Sequence, residues 1–504
     1  MLVFDINTSF GKRVDADPRF SLETLVALLD RHSVAAALTY SQQGVEYDMR
    51  AGNAETLAAC RTHPQLFPMI TLDPRDPLEW QRKLDGWLKQ GARAIRFFPG
   101  AQRWAVESAF FREILKELSG SGLCLIFSSL DCLTGWELAD QVAHATAGLG
   151  LPVIFTDTFY NNMAEIMAVL RQYPHVYAET HWLATVGAIE VMVEAVGADR
   201  LLYGSNAPWR PMQKALNEVL EAEISEADKA AILGGNALRL LRVVPEHLRG
   251  RPELKSFEPA KFDEPIIDVH SHLGYWRAPI RDEDYDPEPM LRRMRRFGIR
   301  RSIVSSYESM RYDIEAGNRK TAAALEDHPE LLGYVELDPH HLEQACAEMD
   351  RYYRLPSFAG AEVELSHIPC PTASEKVRAL VAEIARRGKP VLFLPAGPND
   401  AAAERELARE NPGLTIIHAH GFNADWARVV ADTPNVCVEF CLSRPSHHDI
   451  RDSLDILGPE RVLFGTDQTL LSVGAAVGLY LDAEMSDHER RLVLHDNAKR
   501  IFRL

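Results

Sequence analysis

The sequence predicts an α/β fold with two tandem (β/α)8 TIM-like barrels in one chain. The first observation is a full-length internal repeat: Leu-Asp-Pro at residues 72–74 recurs at 337–339, and Leu-Tyr-Gly-Ser-Asn at 202–206 recurs as Leu-Phe-Gly-Thr-Asp at 463–467. The second is length, because half of the 504 residues is close to the ~250 residues of one such barrel. The third is the alternation of short β-branched runs with amphipathic, charged segments, which predicts parallel strands joined by helices.

Each half contains eight candidate strands. They begin near Leu2, Val34, Phe67, Ala92, Leu123, Pro152, His175 and Arg200 in the first half, and near Ile266, Ser302, Leu332, Phe358, Pro390, Leu414, Asn435 and Arg461 in the second. No Gly-x-Gly-x-x-Gly or phosphate-binding loop follows the first strands to indicate a nucleotide site. We expect a first barrel at 1–243, an extended linker rich in charge and proline at 244–265, and a second barrel at 266–504. The barrels are expected to pack as an intramolecular pseudo-dimer that could also form homo-oligomers.

Composition favours an enzyme that acts on small molecules. The chain is 46% hydrophobic and 25% charged, and its net charge of −17 argues against a nucleic-acid partner. No apolar run reaches the ~18–20 residues of a membrane span, and the N-terminus has no signal-peptide pattern. Seven cysteines without zinc-finger spacing favour free thiols in a reducing compartment. We expect a cytoplasmic protein without a membrane partner.

The most informative segment is Ile-Asp-Val-His-Ser-His-Leu-Gly at residues 267–274. An apolar run ends in His270 and His272, and alternation along a strand places both imidazoles on one face. Two histidines so placed are half of a site for a divalent cation. Because barrel active sites are built from the C-terminal strand ends, we favour this role over two packed or surface histidines.

Two further strand ends carry candidate groups. His420 should face the barrel mouth as a ligand or general base, whereas His418, on the same face but deeper, fits a packed core histidine equally well. Asp467 ends an apolar run and could be a helix cap or a carboxylate that holds a cation and accepts a proton. With His-x-His in the same half, we favour the catalytic role for Asp467.

Together these segments resemble the amidohydrolase superfamily, in particular its amidohydrolase-2 branch of metal-dependent hydrolases and decarboxylases. The resemblance covers both halves and rests on Asp-Val-His-Ser-His at 268–272, His-Gly at 420–421, Phe-Gly-Thr-Asp at 464–467 and Asp-Asn-Ala-Lys-Arg-Ile-Phe at 496–502. It implies that His270 and His272 are metal ligands, that Asp467 is a ligand and proton acceptor, and that His420 is a base or ligand.

One departure from the family pattern concerns the fifth strand, which usually ends in a metal-binding histidine. Leu394 and Pro395 stand there in this chain. The fourth strand offers Glu362 and Glu364 on one face, and a buried carboxylate needs a partner, which is either a cation or an arginine. We include Glu364 among the candidate metal ligands.

The first half differs at every matching position. Asn7 and Ser9 replace the two histidines, Ser128 and Ser129 hold the fifth-strand place, Asp157 replaces His420 and Asn206 replaces Asp467. Neutral amides and hydroxyls are weak ligands for a transition metal. We predict that the first barrel is a degenerate pseudoenzyme domain that binds no metal, and that it buttresses, shapes or regulates the second site.

Candidate substrate contacts in the second half are Arg444, His367, Trp276 and Tyr307, with Arg311 and Tyr275 as further candidates. An arginine could hold a substrate carboxylate in a bidentate fork, and the aromatic rings could form walls. Surface salt bridges and ordinary packing are the alternative for each of these residues.

Three hypotheses follow. The first is a metal-dependent hydrolase of a small amide, ester or lactone, or a related decarboxylase of an activated acid, with Zn²⁺, or else Mn²⁺, in the second barrel and a small substrate that could carry a carboxylate. The second is a metal-independent, lactonase-like hydrolase, which the missing fifth-strand histidine favours. The third is a non-catalytic binding or scaffold protein, because a fold alone does not prove activity.

Overall fold

The computed structural model describes residues 1–13, 17–131, 137–276, 287–397, 400–421, 423–441 and 445–504. The chain divides into two compact units, Met1–Pro259 and Ala260–Leu504. Residues 244–259, which belong to the segment predicted as a linker, group with the first unit. In that segment, the backbone N–H of Leu254 donates a 3.0 Å hydrogen bond to the carbonyl of Met1.

The first unit is a parallel barrel with helices after its strands. Its strands are β1 Phe4–Phe10, β2 Ala36–Ser41, β3 Leu66–Thr71, β4 Ala94–Phe97, β5 Cys124–Ser128, β6 Val153–Thr156, β7 Val176–Glu179 and β8 Leu201–Leu202. Its helices are α1 Leu22–Arg31, α2 Gln43–Glu46, α3 Met49–Thr62, α4 Trp80–Lys89, α5 Ala109–Leu118, α6 Leu138–Thr146, α7 Met163–Gln172, α8 Ala188–Val196, α9 Met212–Glu221, α10 Glu226–Ala230 and α11 Asn236–Leu240.

The second unit repeats this order. Its strands are β9 Ile266–Leu273, β10 Ile299–Ser306, β11 Leu331–Glu336, β12 Phe358–Glu364, β13 Val391–Leu394, β14 Ile416–His418, β15 Val436–Glu439 and β16 Val462–Leu463. Its helices are α12 Pro287–Phe297, α13 Tyr307–Arg311, α14 Ile314–Asp327, α15 Leu342–Tyr352, α16 Glu375–Arg387, α17 Ala401–Glu410, α18 Ala424–Val430, α19 Asp449–Leu457, α20 Val473–Leu481, α21 Asp487–Arg491 and α22 Asn497–Phe502.

Each barrel is closed between its first and last strands. Within the described residues, each unit has one eight-stranded parallel sheet in which every strand pairs with its sequence neighbours. The backbone N–H of Ile6 donates to the carbonyl of Tyr203, and that of Val269 donates to the carbonyl of Phe464, each at 3.0 Å. The predicted fold of two tandem (β/α)8 barrels is therefore confirmed, and the C-terminal strand ends of each barrel meet at one mouth.

Helix α16 illustrates how the sequence encodes these elements. The Ser374 hydroxyl caps its N-terminus by accepting from the backbone N–H of Val377, and Gly388 ends it with a φ of 72°, which glycine adopts without a Cβ penalty. Its buried side chains, Val377, Leu380, Val381 and Ile384, recur at helical spacing. Each contributes about 1.5–3 kcal/mol when removed from water, so this face fixes the helix on the sheet.

Within the part of the chain that the structure describes, no helix combines the length and apolar character needed to cross a lipid bilayer.

Candidate metal centre

The centre of the second barrel's mouth is formed by two histidines of β9. Alternation along this strand turns His270 and His272 to the same, inner side, and both side chains are buried. Their Nε2 atoms lie 3.0 Å apart, and the rings meet nearly perpendicular to each other. The Nδ1 atom of His272 is 2.8 Å from the Ser305 hydroxyl, which fixes the orientation of that ring.

Asp467 brings a carboxylate to the two histidines from beyond β16. It has a φ of 54°, a left-handed conformation that aspartate tolerates better than most residues. Its Oδ1 lies 3.4 Å from Nε2 of His272 and accepts a 3.3 Å hydrogen bond from the hydroxyl of Tyr307. The ligand atoms of His270, His272 and Asp467 all lie within 4.8 Å of one another. Two imidazole nitrogens and one carboxylate oxygen are a donor set that fits a divalent transition metal.

Glu439, at the end of β15, holds His270 from the other side of the ring. Its Oε1 lies 2.9 Å from Nδ1 of His270 and accepts a 2.7 Å hydrogen bond from the backbone N–H of His420. Donation from Nδ1 leaves Nε2 to face His272, which is the orientation that a carboxylate gives a metal-binding histidine. The glycine of the Phe-Gly-Thr-Asp motif is required here, because a Cβ on Gly465 would lie 2.1 Å from Oε2 of Glu439.

The buried charges in this cluster perturb one another. Burial opposes protonation of His270, but the carboxylates of Glu439 and Asp467 outweigh it and raise the pKa of His270 to about 10. Burial and the neighbouring positive charge of His270 lower the pKa of His420 to about 3, and they also lower that of His272. Burial raises the pKa of Asp467 to about 7. In the absence of a cation, the positive charge of this cluster therefore resides on His270.

The two histidines of the sixth strand point in different directions. His420 has a φ of 63° and its ring centroid lies 5.1 Å from that of His270, so it reaches the mouth as expected. The expectation that His418 shares its face is wrong. Nδ1 of His418 lies 2.8 Å from Oε1 of Glu404 on α17, and its ring packs on Trp426 of α18. His418 is therefore a hydrogen-bonded histidine of the helix layer.

The structure does not bring Glu364 into the cation-binding set. Its Oε1 accepts a 2.7 Å hydrogen bond from the backbone N–H of Ser366. Glu362 on the same strand is fully buried, and burial raises its pKa to about 7. At the fifth strand, buried Leu394 ends β13 where the family pattern has a histidine. Among the described residues, neither β12 nor β13 therefore adds a fourth ligand to the three-residue set.

An apolar wall lies beside the centre. Buried Trp276, Tyr307, Met310, Leu470 and Leu471 form one cluster. The Tyr307 ring packs at a tilt against His272, with centroids 4.6 Å apart, and against Trp276 at 4.7 Å, which joins the wall to the candidate ligands.

The remaining predicted substrate contacts lie at different distances from this wall. The guanidinium of Arg311 lies over the Trp276 ring at 4.6 Å, and the ring of exposed His367 is 6.0 Å from that of Trp276. Tyr275 is exposed. Arg444 lies outside the described residues.

The corresponding place in the first barrel holds a guanidinium. In the first barrel, Arg96 of β4 lies opposite Thr71 of β3. In the second barrel, Glu362 of β12 lies opposite Glu336 of β11, at the same place in the sheet. Arg96 therefore occupies the position that Glu362 has in the second barrel. Its Nη1 donates a 2.5 Å hydrogen bond to Oδ1 of Asn7, the counterpart of His270. In the described residues of this unit, no three histidine, cysteine, aspartate or glutamate side chains have ligand atoms grouped for a cation.

The sequence analysis did not identify three residues that belong to these clusters. Glu439 could have been found because it recurs as Glu179 at the end of β7, in an otherwise apolar strand. Cys441 lies two residues later, where the first half has His181, and a lone cysteine gave no signal. Arg96 interrupts the apolar strand β4, and a buried arginine in a strand is a signal in itself.

Several solved structures are similar to this chain at low identity. They include 5-carboxyvanillate decarboxylase from Sphingomonas paucimobilis (14% identity, 48% of this chain and 99% of that chain, TM-score 0.40). They also include 2,6-dihydroxybenzoate decarboxylase from Rhizobium (15% identity, 48% of this chain and 99% of that chain, TM-score 0.40). A third is dihydroxybenzoic acid decarboxylase from a Polaromonas species, with bound manganese and the inhibitor 2-nitroresorcinol (17% identity, 48% of this chain and 97% of that chain, TM-score 0.39).

No curated protein matches the chain. The family model described as amidohydrolase matches it twice, over residues 9–243 and 267–504, which together span most of each barrel. This chain therefore belongs to the amidohydrolase family.

Proposed function

We propose that the second barrel is the catalytic unit of a divalent-cation-dependent hydrolase of a small amide, ester or lactone, or of a closely related decarboxylase of an activated acid. The observation that carries this proposal is the convergence of His270 Nε2, His272 Nε2 and Asp467 Oδ1 within 4.8 Å. Three protein ligands with a remaining open position are typical of catalytic zinc sites.

His270, His272 and Asp467 would hold the cation, for which Zn²⁺ is our first choice and Mn²⁺ the second. When bound, such an ion polarises a carbonyl oxygen and lowers the pKa of water toward ~7. Glu439 would keep His270 in the tautomer and orientation that the ligand role requires. With the cation bound, His270 would be neutral, and the ion would carry the positive charge of the cluster.

His420 and Asp467 are the groups proposed to move protons. Both lie at the mouth, and the Tyr307 hydroxyl fixes Oδ1 of Asp467 by donating to it. In the cation-free cluster, burial raises the pKa of Asp467 to about 7, and a carboxylate at this position can accept a proton from bound water or substrate. Burial lowers the pKa of His420, so its imidazole is neutral near neutral pH and can accept a proton at the substrate.

The apolar wall supports a substrate with a flat or aromatic part. Trp276 and Tyr307 offer ring faces next to the candidate ligands, and flat groups stack favourably on such rings. Arg311, held over Trp276, is the proposed partner for a substrate carboxylate among the described residues.

A metal-independent, lactonase-like hydrolase is the second candidate. It is favoured by one observation, the buried Leu394 at the strand end where the family pattern has a metal-binding histidine. Here the histidines and Asp467 would act through hydrogen bonds and protons alone. Activity that persists in chelator, in protein free of stoichiometric metal, would select this candidate.

A matched pair of substitutions tests the proposal. His270→Ala should abolish cation uptake, measured by elemental analysis after equilibration with Zn²⁺ or Mn²⁺, and turnover in a screen of small lactones, amides and aromatic acids. Asn7→Ala changes the corresponding residue of the first barrel, which we propose binds no cation, and should leave uptake and turnover near wild type. Equal effects of the two substitutions would refute the proposed division of labour.

A further inference from the structure

A second set of ligand atoms lies on the far side of His270. The ligand atoms of His270, His420 and Cys441 all lie within 4.8 Å of one another, as do those of the first set. The two sets share His270 but approach it from different directions. His272 lies against Nε2 at 3.0 Å, and the Cys441 sulfur lies 3.2 Å from Nδ1.

The contacts of Cys441 match the spacing of ligands around one ion. Its thiol donates a 3.3 Å hydrogen bond to Oε1 of Glu439, which itself lies 2.9 Å from Nδ1 of His270. Zinc–sulfur and zinc–nitrogen bonds of about 2.3 and 2.0 Å place neighbouring ligand atoms of a tetrahedral site at this order of separation. An ion at this position would replace the proton on Nδ1 and the proton on the thiol, so the ion would take over from Nδ1–H as the positive partner of Glu439.

The carboxylate of Glu439 provides buried negative charge beside this position. Its Oε1 lies 3.3 Å from the Cys441 sulfur, and its buried Oε2 has no hydrogen-bond partner among the described residues. An incompletely paired buried carboxylate is costly, and a cation next to Glu439 would compensate it.

We propose that the second barrel has a second cation position, formed by Cys441, His420 and the Nδ1 side of His270, with a preference for a thiophilic divalent ion such as Zn²⁺ or Co²⁺. Soft thiolate ligands select such ions, whereas Mn²⁺ prefers oxygen ligands. The inference rests on the proposed function, because His270 is shared with the first position. In the first barrel, His181 stands in the place of Cys441, so this feature is particular to the second barrel.

The test uses the full chain loaded with Mn²⁺, Zn²⁺ or Co²⁺. We expect one equivalent of Mn²⁺ and two of Zn²⁺ per wild-type chain by elemental analysis. Cobalt-loaded wild type should show the near-ultraviolet band of thiolate-to-cobalt charge transfer. Cys441→Ser should lose this band and one equivalent of Zn²⁺, and it should keep its Mn²⁺. The matched control is Cys437→Ser, which changes an equally buried cysteine of β15 and should keep the band.

The outcomes separate the two proposals. One equivalent of Zn²⁺ in wild type without a thiolate band would overturn the second position and leave the first intact. A thiolate band that survives in Cys441→Ser would also overturn it, because another cysteine would then be the ligand. Failure of wild type to bind any of the three ions would overturn the proposed function itself. If the serine variant does not fold, Cys441→Ala takes its place, and a wild-type chain without the band overturns the second position in either case.

Discussion

The guanidinium of Arg96 donates a 2.5 Å hydrogen bond from Nη1 to Oδ1 of Asn7, the residue that corresponds to the candidate ligand His270. Nη2 of the same side chain reaches the hydroxyl of Thr156 at 3.3 Å. The acids of this cluster lie nearby: Asp157 is 3.4 Å from His181 Nε2, and Glu179 is 2.6 Å from His181 Nδ1. Where the second barrel offers ligands for a cation, the first barrel has a covalently attached positive charge.

The first prediction concerns this arginine. Arg96→Met removes a buried cation and leaves the carboxylates of Asp157 and Glu179 with less compensation. Breaking a buried charge network in this way costs about 3–5 kcal/mol. We expect the first unit to lose about that much free energy of unfolding in urea denaturation followed by circular dichroism.

Arg82→Met is the control, because Arg82 is an exposed arginine that pairs with Glu79 on the surface, and its loss should be small. Unchanged stability of Arg96→Met would contradict the role of Arg96 as a structural cation. Cation binding by the second unit should be the same in both variants.

The second prediction concerns Glu439 as a positioning residue. Glu439→Gln keeps the shape of the side chain but replaces the charged acceptor next to Nδ1 of His270. Loss of such a carboxylate partner typically weakens metal affinity by about 10–100-fold. Competition with a chromophoric chelator measures this loss for Mn²⁺ and Zn²⁺.

Glu404→Gln is the matched control for this experiment. Glu404 is also a fully buried carboxylate on Nδ1 of a histidine, but that histidine is His418 in the helix layer. Its substitution should lower stability and leave metal affinity unchanged. Similar losses of affinity in both variants would mean that general destabilisation, and not the orientation of His270, is being measured.

The third prediction uses the glycine that lies under Glu439. Gly465→Ala places a Cβ 2.1 Å from Oε2 of Glu439, so the carboxylate has to move. Because this carboxylate orients His270, we expect weaker metal binding in the same chelator competition. Gly204→Ala creates the equivalent clash with Glu179 in the first barrel and should leave metal binding unchanged. Weaker binding in Gly204→Ala as well would argue against a site confined to the second barrel.

Sequence patterns predicted the fold and the placement of the β9 histidines because both depend on local periodicity. Strand alternation alone places His270 and His272 on one face, and the internal repeat predicts a second barrel. His418 was assigned to the wrong face because β14 ends there and His420 turns into a left-handed conformation, with a φ of 63°. Side chains alternate between the two faces only while the strand continues. The direction of a side chain that follows the end of a short strand therefore cannot be predicted from alternation.

The contacts of Glu439 and Arg96 could not be predicted in the same way. Glu439 meets His270 across 169 residues of sequence, and Arg96 meets Asn7 across 89. Both contacts depend on closure of the barrel and on which strands face each other across its interior. Comparison of the two halves identifies the positions, but only the register of the strands shows that Arg96 replaces Glu362.

The fourth prediction is a pH dependence of stability that originates at Asp5. This carboxylate is fully buried, and it accepts hydrogen bonds from the backbone N–H groups of Asn7 at 2.9 Å and Ser205 at 3.1 Å. Burial outweighs these bonds and raises the pKa of Asp5 to about 7 from its ordinary value of 3.8. Between these values the folded chain holds a proton that the unfolded chain has released. Stability therefore falls as pH rises from about 4 to about 7 and is level above, with a slope of about 1.4 kcal/mol per pH unit from this group.

Asp5→Asn removes this titration and should reveal it by difference. We expect the free energy of unfolding of the variant, relative to wild type, to rise by about 2–3 kcal/mol between pH 5 and pH 7.5, measured by urea denaturation at each pH. Asp48→Asn is the control, because the backbone N–H groups of Ala51 and Arg50 lower the pKa of Asp48, which therefore stays ionised in both states over this range. Its difference from wild type should not change with pH. A constant difference for Asp5→Asn as well would mean that Asp5 is ionised in the folded barrel, with its charge stabilised by Ser205 and the β1 backbone.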